Sequence, residues 1–430
     1  MNSSLPVPST PSIAILGAGI SGLALAIGLS RRHVPCKIYE ASDRFSTIGA
    51  GIGLGPNSLA AMDLIDPAFR AKYDSVRTAN EDKAFRNSIF DALYAEEGLG
   101  EKRGWLRGLV GAPYFERSSA HRKDLLDIMV EFIPDGTVLF EKKAVEVKQM
   151  GNKVVVYFAD GEQISVDAVI GADGIRGISR EAVLGALAPD LVSPKYTGTY
   201  AYRGIVPMDD AKKVLGSHAS NAKWFMGHGK GAVTYPISKG SQVNFVFFVR
   251  EPRDTWHEKG GSSIFCTKEE MMQDLKDVDA RLKRLLDWAQ PLRWPLFHHP
   301  ETPTYVRGRI CMIGDAAHAM TPYQAAGAGQ GLEDAVVLSH ILAMVKQSDE
   351  LDAAFQVYSN KRISRAKRAI DTSEEAGAMY MFSDAELGDD MVKIVENANG
   401  RLHWLWQHNL SEDLKDAEEQ FYDQLSRKVS

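Results

Sequence analysis

The sequence predicts an α/β protein in which a Rossmann-like nucleotide-binding domain is interrupted by an inserted β-sheet domain and followed by a C-terminal helical segment. A glycine-rich turn joins a short apolar strand to an apolar helix near the beginning of the chain. The middle of the chain is rich in β-branched and aromatic residues, which favour strands. Beyond Leu351 the apolar residues recur with a helical period.

Length and composition narrow the class of protein. The chain has 430 residues, of which 44% are hydrophobic and 25% are charged, as in soluble globular proteins. A formal net charge of -6 offers no basic surface for a phosphate backbone, so we expect no nucleic-acid partner. No membrane partner is expected from the apolar runs either, and we allow for a homodimer.

Cysteine usage suggests neither a disulfide framework nor a metal cluster. The three cysteines, Cys36, Cys266 and Cys311, are odd in number and widely spaced. We therefore expect no bound metal and a reducing, cytoplasmic environment.

The first elements predict a β-α-β unit that binds a dinucleotide. A strand at residues 12–17, a helix at Ile20–Arg31 and a strand at Cys36–Tyr39 follow one another. The turn between the first two contains the G-x-G-x-x-G pattern, formed by Gly17, Gly19 and Gly22. These glycines would give the tight turn, the approach of backbone amides to a pyrophosphate, and close packing of helix on strand, respectively.

An acidic residue completes the nucleotide-binding pattern. Glu40 ends the second strand, about twenty residues after the glycines, where a carboxylate accepts hydrogen bonds from an adenosine ribose. This pattern alone does not distinguish FAD from NAD.

Later elements follow from apolar runs and turn residues. The predicted segments are strands at residues 154–158, 163–169, 243–249 and 309–313, helical patterning at 268–288, and a long helix that begins near Gln330. We divide the chain into four parts. Residues 1–191 form the first part of the nucleotide-binding domain, with segments contributing to the inserted domain, and residues 192–300 form mainly the inserted domain. Residues 301–350 form the second part of the nucleotide-binding domain, and residues 351–430 form the C-terminal helical segment.

Two distal motifs favour FAD over NAD. Asp315 follows a strand and could accept hydrogen bonds from a ribityl or ribose hydroxyl, although an aspartate there could also cap a helix. Residues 322–331, the small-residue loop, are mostly small and lead into a helix, whose exposed amides would stabilise negative charge on a reduced flavin. A simple tight turn would give the same pattern.

In combination these motifs resemble the single-component flavoprotein aromatic hydroxylases, the group that includes 4-hydroxybenzoate hydroxylase, and within it the salicylate hydroxylase branch. The resemblance covers nearly the whole chain. It rests on residues 17–22, Glu40, 48–57, His121-Arg122, 171–176, 200–204, 314–334 and 404–409. It implies a glutathione-reductase-type FAD-binding domain, FAD as cofactor, NADH or NADPH as co-substrate, and a small phenolic substrate with molecular oxygen.

The resemblance also implies particular cofactor contacts. Glu40 would bind the adenosine ribose, Gly53 would lie beside the flavin, and Arg122 would reach the phosphates or the ribityl chain. Asp315 and Ala328 would lie at the flavin end. Asp173-Gly174 matches a second family motif that serves the pyrophosphate and the nicotinamide partner, although a capped turn would look the same.

Two residues of the inserted domain are candidates for catalysis. Arg203 could bind a carboxylate or phenolate through both arms of its guanidinium, or it could form a surface salt bridge. The resemblance places a substrate-facing arginine at this position. Tyr235 could add a hydrogen bond from a neighbouring strand, or it could be an ordinary core aromatic. His228 and His318 are expected to be structural.

The best-supported activity is hydroxylation of salicylate to catechol with decarboxylation, through a flavin C4a-hydroperoxide. Two positions depart from salicylate hydroxylases: Tyr323 and Gly231 stand where histidines are expected. The pair of Arg203 and Tyr235 instead resembles fungal enzymes that hydroxylate and dearomatise resorcinol-type polyketide phenols, which is the first alternative. A flavin reductase or oxidase that inserts no oxygen is the second.

Overall fold

The computed structural model describes residues 10–45, 51–251, 255–256 and 263–429. Its strands, in chain order, are β1 (Ile13–Leu16), β2 (Cys36–Tyr39), β3 (Gly51–Gly53), β4 (Ser88–Tyr94), β5 (Leu109–Gly111), β6 (Ser119–His121), β7 (Val138–Leu139), β8 (Ala144–Met150), β9 (Lys153–Phe158), β10 (Gln163–Val166), β11 (Ala168–Gly171), β12 (Lys195–Pro207), β13 (Lys223–Gly227), β14 (Lys230–Ile237), β15 (Gln242–Arg250), β16 (Ile264–Phe265), β17 (Leu292–His298), β18 (Val306–Arg307) and β19 (Ile310–Met312).

The α-helices are α1 (Ile20–Arg31), α2 (Pro56–Ile65), α3 (Pro67–Asp74), α4 (Arg122–Val130), α5 (Ile178–Leu184), α6 (Met208–Leu215), α7 (Lys268–Asp274), α8 (Ala280–Arg284), α9 (Asp315–His318), α10 (Gly327–Leu342), α11 (Leu351–Tyr380), α12 (Met391–Arg401), α13 (His403–Trp406) and α14 (Leu410–Val429). None of the helices among the described residues combines the length and the apolar character needed to cross a membrane.

A six-stranded sheet forms the core of the nucleotide-binding part, in the order β18-β19-β11-β1-β2-β7. β1 pairs in parallel with both β2 and β11. All residues of β1 and β11 are buried, as in parallel sheets covered on both faces. The predicted β-α-β unit is confirmed, with helix α1 and strand β2 at the predicted residues.

The strand predicted at residues 163–169 is wrong, because two strands in two different sheets occupy these residues. β10 pairs antiparallel with β9 in the three-stranded sheet β10-β9-β8, whereas β11 enters the parallel sheet. Asp167 lies between them, and its carboxylate accepts hydrogen bonds from the backbone N–H and the hydroxyl of Ser12 at 2.9 and 2.7 Å. Apolar periodicity continues across this junction, so the pattern did not reveal it.

An eight-stranded sheet faces the nucleotide-binding part, in the order β16-β17-β12-β15-β14-β13-β4-β5. Its central strands pair antiparallel, and β13 pairs in parallel with β4. The strands predicted in the middle of the chain form most of this sheet, and β4 and β5 join it from earlier in the chain. We propose that the domain division given above holds with these two strands counted in the inserted domain.

Helix α10 begins at Gly327, three residues before the predicted start near Gln330. Glycine disfavours helix interiors, so the sequence pattern suggested a later start. The contacts explain the difference: a Cβ added to Gly329 would lie 2.4 Å from Ser58 Oγ, and one added to Gly331 would lie 2.2 Å from Ser21 Oγ. Close packing against α2 and α1 therefore requires glycine in the first turns.

The C-terminal segment is helical, as predicted, and packs on the rest of the protein. Trp406 is buried, and its ring centroid lies 4.6 Å from that of Phe115. Trp404 is only half-buried and contacts the guanidinium of Arg368 at 4.2 Å.

A buried ionic network joins α10 to α11. Arg362 donates to Asp334 at 2.7 Å and to Glu333 at 2.8 Å. Arg365 donates to Glu333 at 2.6 and 2.7 Å. His318 lies 2.6 Å from Asp334, and all five side chains are almost fully buried. The network therefore fixes the helix that follows the small-residue loop.

Candidate active site

The glycine-rich turn leaves open space in front of the N-terminus of α1. Gly17 has φ +100°, and a Cβ added to it would lie 2.4 Å from the Ala172 carbonyl oxygen. A Cβ added to Gly22 would lie 2.1 Å from the Gly17 carbonyl oxygen. A Cβ on Gly19 would meet nothing within 4 Å. Gly17 and Gly22 are thus required by packing, and the space at Gly19 fits a pyrophosphate at the positive end of a helix.

Three of the predicted cofactor ligands, Glu40, Arg122 and Asp315, are linked by electrostatic interactions. The carboxylate of Glu40 accepts hydrogen bonds from the backbone N–H groups of Ala18 (2.7 Å) and Ser42 (2.9 Å), which fixes it beside the glycine-rich turn. Burial lowers the pKa of Arg122, and the charges of Asp315 and Glu40 oppose that shift. Arg122 is therefore close enough to both carboxylates to interact with them electrostatically.

Asp315 is the first residue of α9, the short helix that follows β19. Its side chain is exposed, yet the surrounding protein raises its pKa, and His318 and Arg122 oppose the shift. A carboxylate that is accessible to solvent and surrounded by protein atoms is suited to accept hydrogen bonds from hydroxyl groups of a bound molecule. These residues therefore fit the ribityl chain of FAD.

Asp173 has local hydrogen-bond partners. Its carboxylate accepts hydrogen bonds from the Ser179 backbone N–H at 2.9 Å and from the Ser179 hydroxyl. Burial raises the pKa of Asp173, and the bonds from Ser179 oppose this. This geometry is that of a capped turn before α5, which is the structural alternative to a role in binding the pyrophosphate.

Gly53 lies beside the small-residue loop, and Ala328 belongs to its last part. Ala328 is in the first turn of α10, where backbone N–H groups have no acceptor within the helix. Gly53 ends β3, and a Cβ added to it would lie 3.5 Å from Cβ of Ala325. Residues 48–50, which also contributed to the resemblance, lie outside the described residues.

A cavity of about 280 Å³ separates this loop from the eight-stranded sheet. The lining residues outside the eight-stranded sheet are Gly51, Gly53, Arg117, Pro322, Tyr323, Gln324 and Ala325. The lining residues on the sheet are Ile89, Phe90, Ala201, Arg203, Trp224, Val233, Tyr235, Val246, Phe248, Trp294 and Leu296. Successive side chains of a strand point to opposite faces, so alternate residues of β12, β14, β15 and β17 form the wall. The lining is apolar and aromatic apart from a few polar groups.

Arg203 and Tyr235, the two predicted catalytic residues, both line this cavity. The guanidinium carbon of Arg203 lies 3.7 Å from the ring centroid of Trp294. Burial lowers the pKa of Arg203, and the positive charge of Arg122 lowers it further. Within the described part of the chain, Arg203 forms no ion pair with a carboxylate. Its neighbour Tyr202 points to the other face of the sheet and donates to Asp274 at 2.5 Å.

Tyr235 is 8% exposed at the cavity wall. Burial raises the pKa of Tyr235 to about 12, although the charge of Arg117 opposes this shift. The phenol is therefore neutral near pH 7 and can donate a hydrogen bond.

Aromatic side chains occupy the space at the two positions where histidines were expected. Tyr323 lines the cavity, and its ring centroid lies 5.2 Å from that of Phe248. A Cβ added to Gly231 would lie 3.1 Å from the Phe225 carbonyl oxygen and 3.6 Å from the Trp224 ring, so a histidine side chain there would begin against the backbone of β13 and next to that ring. His228 is exposed and His318 is paired with Asp334, so neither lines the cavity.

Sequence reasoning missed Arg117 and the tryptophans at positions 224 and 294 as cavity residues. Arg117 precedes β6 in a loop that carries no periodic pattern. The only available indication was its position five residues before Arg122, within the same short polar segment.

Known proteins share this architecture over nearly its full length. A family model described as an FAD binding domain matches residues 10–373. The chain is 40% identical over 432 residues to an FAD-dependent monooxygenase of Gibberella moniliformis, covering 97% of this chain and 98% of the relative. It is 35% identical over 428 residues to a 6-methylsalicylate 1-monooxygenase of Aspergillus terreus, covering 97% and 94%. A solved salicylate hydroxylase substrate complex is 30% identical, with a TM-score of 0.83 and coverage of 95% and 98%.

Proposed function

Because this chain belongs to the FAD-dependent aromatic monooxygenases, we propose that it hydroxylates salicylate at the carbon that bears the carboxylate, giving catechol and carbon dioxide. The observation that carries the proposal is the position of Arg203, a guanidinium without an ion-pair partner in the described structure, in the wall of an apolar cavity. A phenolate or carboxylate there would gain charge-assisted hydrogen bonds in a site of low polarity. Two relatives that act on salicylates support the same substrate class.

The cofactor would extend from Glu40 past Gly19 to Asp315. Its flavin end would reach Gly53 and the first turn of α10, next to the cavity. FAD, when bound and reduced by NADH or NADPH, supplies the activation of molecular oxygen.

The protein side chains would orient the substrate and keep water out. Arg203 would favour the phenolate form of the substrate, and Tyr235 would donate a hydrogen bond to the same oxygen. The aromatic wall would hold the ring against the cofactor side and exclude water. These roles require no proton transfer from Tyr235.

The overall reaction balances without a further reactant. Salicylate, NADH, molecular oxygen and two protons give catechol, carbon dioxide, water and NAD⁺. A carbon–oxygen bond forms at the ring carbon that bears the carboxylate. The bond from that carbon to the carboxylate breaks, and its electron pair restores the aromatic ring.

A second candidate is dearomatising hydroxylation of a resorcinol-type aldehyde or ketone. The meeting of Arg203 and Tyr235 in one cavity favours it, as does the aromatic side chain at Tyr323 in place of a histidine. Such a reaction would retain every carbon and give a chiral product.

The experiment that separates the two candidates is substrate-stimulated NADH oxidation by the FAD-loaded protein. Salicylate and a resorcinol-type aldehyde would be compared, with oxygen uptake, catechol and carbon dioxide followed together. Stoichiometric catechol and carbon dioxide would support the proposal. Stimulation by the aldehyde alone, with a chiral product, would replace it with the second candidate.

Replacing Tyr235 with phenylalanine is expected to lower kcat/KM for salicylate about 10-fold, because one hydrogen bond to a charged oxygen is lost while the ring remains. The cation–π contact between Arg117 and the ring should persist, so the melting temperature should change little. Steady-state catechol formation would measure the effect. An unchanged kcat/KM would make Tyr235 a packing residue only.

A further inference from the structure

Arg117 is a buried cation whose surroundings do not neutralise it. It lies in the segment that leads into β6, lines the cavity and is only 6% exposed. Its Nη1 donates to the carbonyl oxygen of Ile89 at 2.6 Å, and its guanidinium carbon lies 4.9 Å from the ring centroid of Tyr235. Its Nε is buried without an acceptor, and within the residues described here no carboxylate forms an ion pair with it.

The other buried arginines are each satisfied by several acceptors. Arg362 and Arg365 pair with carboxylates of α10. Arg180 donates to four backbone carbonyl oxygens and to the hydroxyl of Thr302. Arg309 has a backbone acceptor and two aspartates at 3.9 Å. The lack of a counter-charge at Arg117 is therefore not a general property of this protein's interior.

A buried guanidinium without a partner is costly to folding, and such costs are retained mainly where a bound molecule supplies the missing charge. Burial lowers the pKa of Arg117 to about 10, so the group remains a cation near pH 7. Among the residues that the structure describes, the cavity lining includes Arg117 and Arg203 but neither aspartate nor glutamate. The cavity is thus suited to an anion with more than one negative group.

Arg203 and Arg117 line the same cavity, and each belongs to a different part of the fold. Arg203 lies on β12 and Tyr235 on β14, with β15 between them and with Tyr235 two residues along from the position level with Arg203, which separates their backbones by about 12 Å. Arg117 lies against the ring of Tyr235. A ring between them could place one oxygen substituent at Arg203 and Tyr235 and another anionic group at Arg117.

We propose that Arg117 is the residue that binds the carboxylate of the aromatic substrate, while Arg203 and Tyr235 hold the phenolate oxygen. This assignment rests on the proposed function, since it needs a substrate that carries both groups. It gives the cavity a preference for hydroxybenzoates over the corresponding uncharged amides and aldehydes.

The test compares the binding of salicylate and of its uncharged analogue salicylamide to the FAD-loaded full chain, measured by perturbation of the flavin absorbance. Variants R117M and R117K would be compared with the surface variant R284Q, since Arg284 is exposed and remote from the cavity lining. We expect R117M to weaken salicylate binding by about 10- to 100-fold and to leave salicylamide binding nearly unchanged. R117K should recover part of the loss, and R284Q should behave as the wild type.

Stability gives an independent measurement. Because R117M removes an unpaired buried charge, its melting temperature should equal or exceed that of the wild type. A purely structural role would instead lower the melting temperature and would weaken both ligands equally, which would overturn the proposal. A shifted flavin midpoint potential in R117M with an unchanged preference for salicylate would assign Arg117 to the cofactor and would also overturn it.

The outcomes also separate this proposal from the proposed function. Loss of the preference for salicylate in R117M, without catechol or carbon dioxide from the wild type, would support the role of Arg117 and remove the decarboxylating activity. If R117M forms catechol and carbon dioxide with an unchanged kcat/KM, the decarboxylating activity is supported and the role of Arg117 is overturned. Failure of salicylate to bind to the wild type would overturn both.

Discussion

Replacing Arg203 with glutamine is expected to lower kcat/KM for catechol formation by about 100-fold, since charge-assisted hydrogen bonds to the phenolate are worth roughly 3 kcal/mol. The phenolate form of the substrate would no longer be favoured, so much of the NADH consumed should yield hydrogen peroxide instead of catechol. The measurement is the ratio of catechol formed to NADH oxidised. Lysine at this position should restore part of the activity, because it keeps the charge but loses the planar fork.

Tyr202 offers a matched control for Arg203. It is the preceding residue of the same strand, and its hydroxyl donates to Asp274 on the opposite face of the sheet. Y202F should therefore leave the ratio of catechol to NADH unchanged. Coupled hydroxylation by R203Q with undiminished substrate affinity would show that Arg203 is not part of the active site.

Replacing Glu333 with glutamine is expected to destabilise the protein by about 3–5 kcal/mol, because Arg362 and Arg365 would lose the charge that neutralises them in a fully buried place. Asn57 also donates to Glu333, at 2.7 Å, so α2 would lose its link to α10. The first turn of α10 should become less well fixed, and FAD should dissociate more readily. Urea unfolding and FAD release measure the two effects.

A surface ion pair provides the comparison for Glu333. Lys148 and Glu146 form one with side chains 53% and 47% exposed. E146Q should change the free energy of unfolding by at most about 1 kcal/mol, since exposed pairs contribute little. Equal effects of E333Q and E146Q would contradict the importance of the buried network.

The stabilisation that Asp334 contributes to the buried ionic network should persist in moderate acid. Burial alone would raise the pKa of Asp334, but the charges of His318 and Arg362 outweigh burial and hold it below its usual range. A lowered pKa in the folded state stabilises the protein above the pKa of the unfolded state, about 3.9 for aspartate. That stabilisation is lost only as the pH falls towards the pKa of the folded state.

The sequence was sufficient for the family, the fold class and the FAD cofactor, which are confirmed. The glycine pattern and Glu40 are separated by short, fixed distances because one β-α-β unit must hold one nucleotide, so the motif can be read locally. Arg203 could be singled out because the family resemblance places a substrate-facing arginine at this position and a guanidinium can bind an anionic oxygen through both arms. Its catalytic role and that of Tyr235 remain predictions.

The parts that the sequence did not predict depend on contacts between distant residues. Asp167 ends one sheet and begins another through hydrogen bonds to Ser12, far away in the chain. The start of α10 at Gly327 depends on packing against α1 and α2. Arg117 became a candidate only because it lines the cavity and has no ion-pair partner in the described part of the chain.

The most direct test of decarboxylating hydroxylation is turnover of salicylate labelled with ¹³C in the carboxylate, under ¹⁸O₂ and with NADH. We predict equal amounts of ¹³CO₂ and of catechol that carries one ¹⁸O atom. A dihydroxybenzoate that retains the ¹³C label, or NADH oxidation that yields only hydrogen peroxide, would contradict the proposed activity.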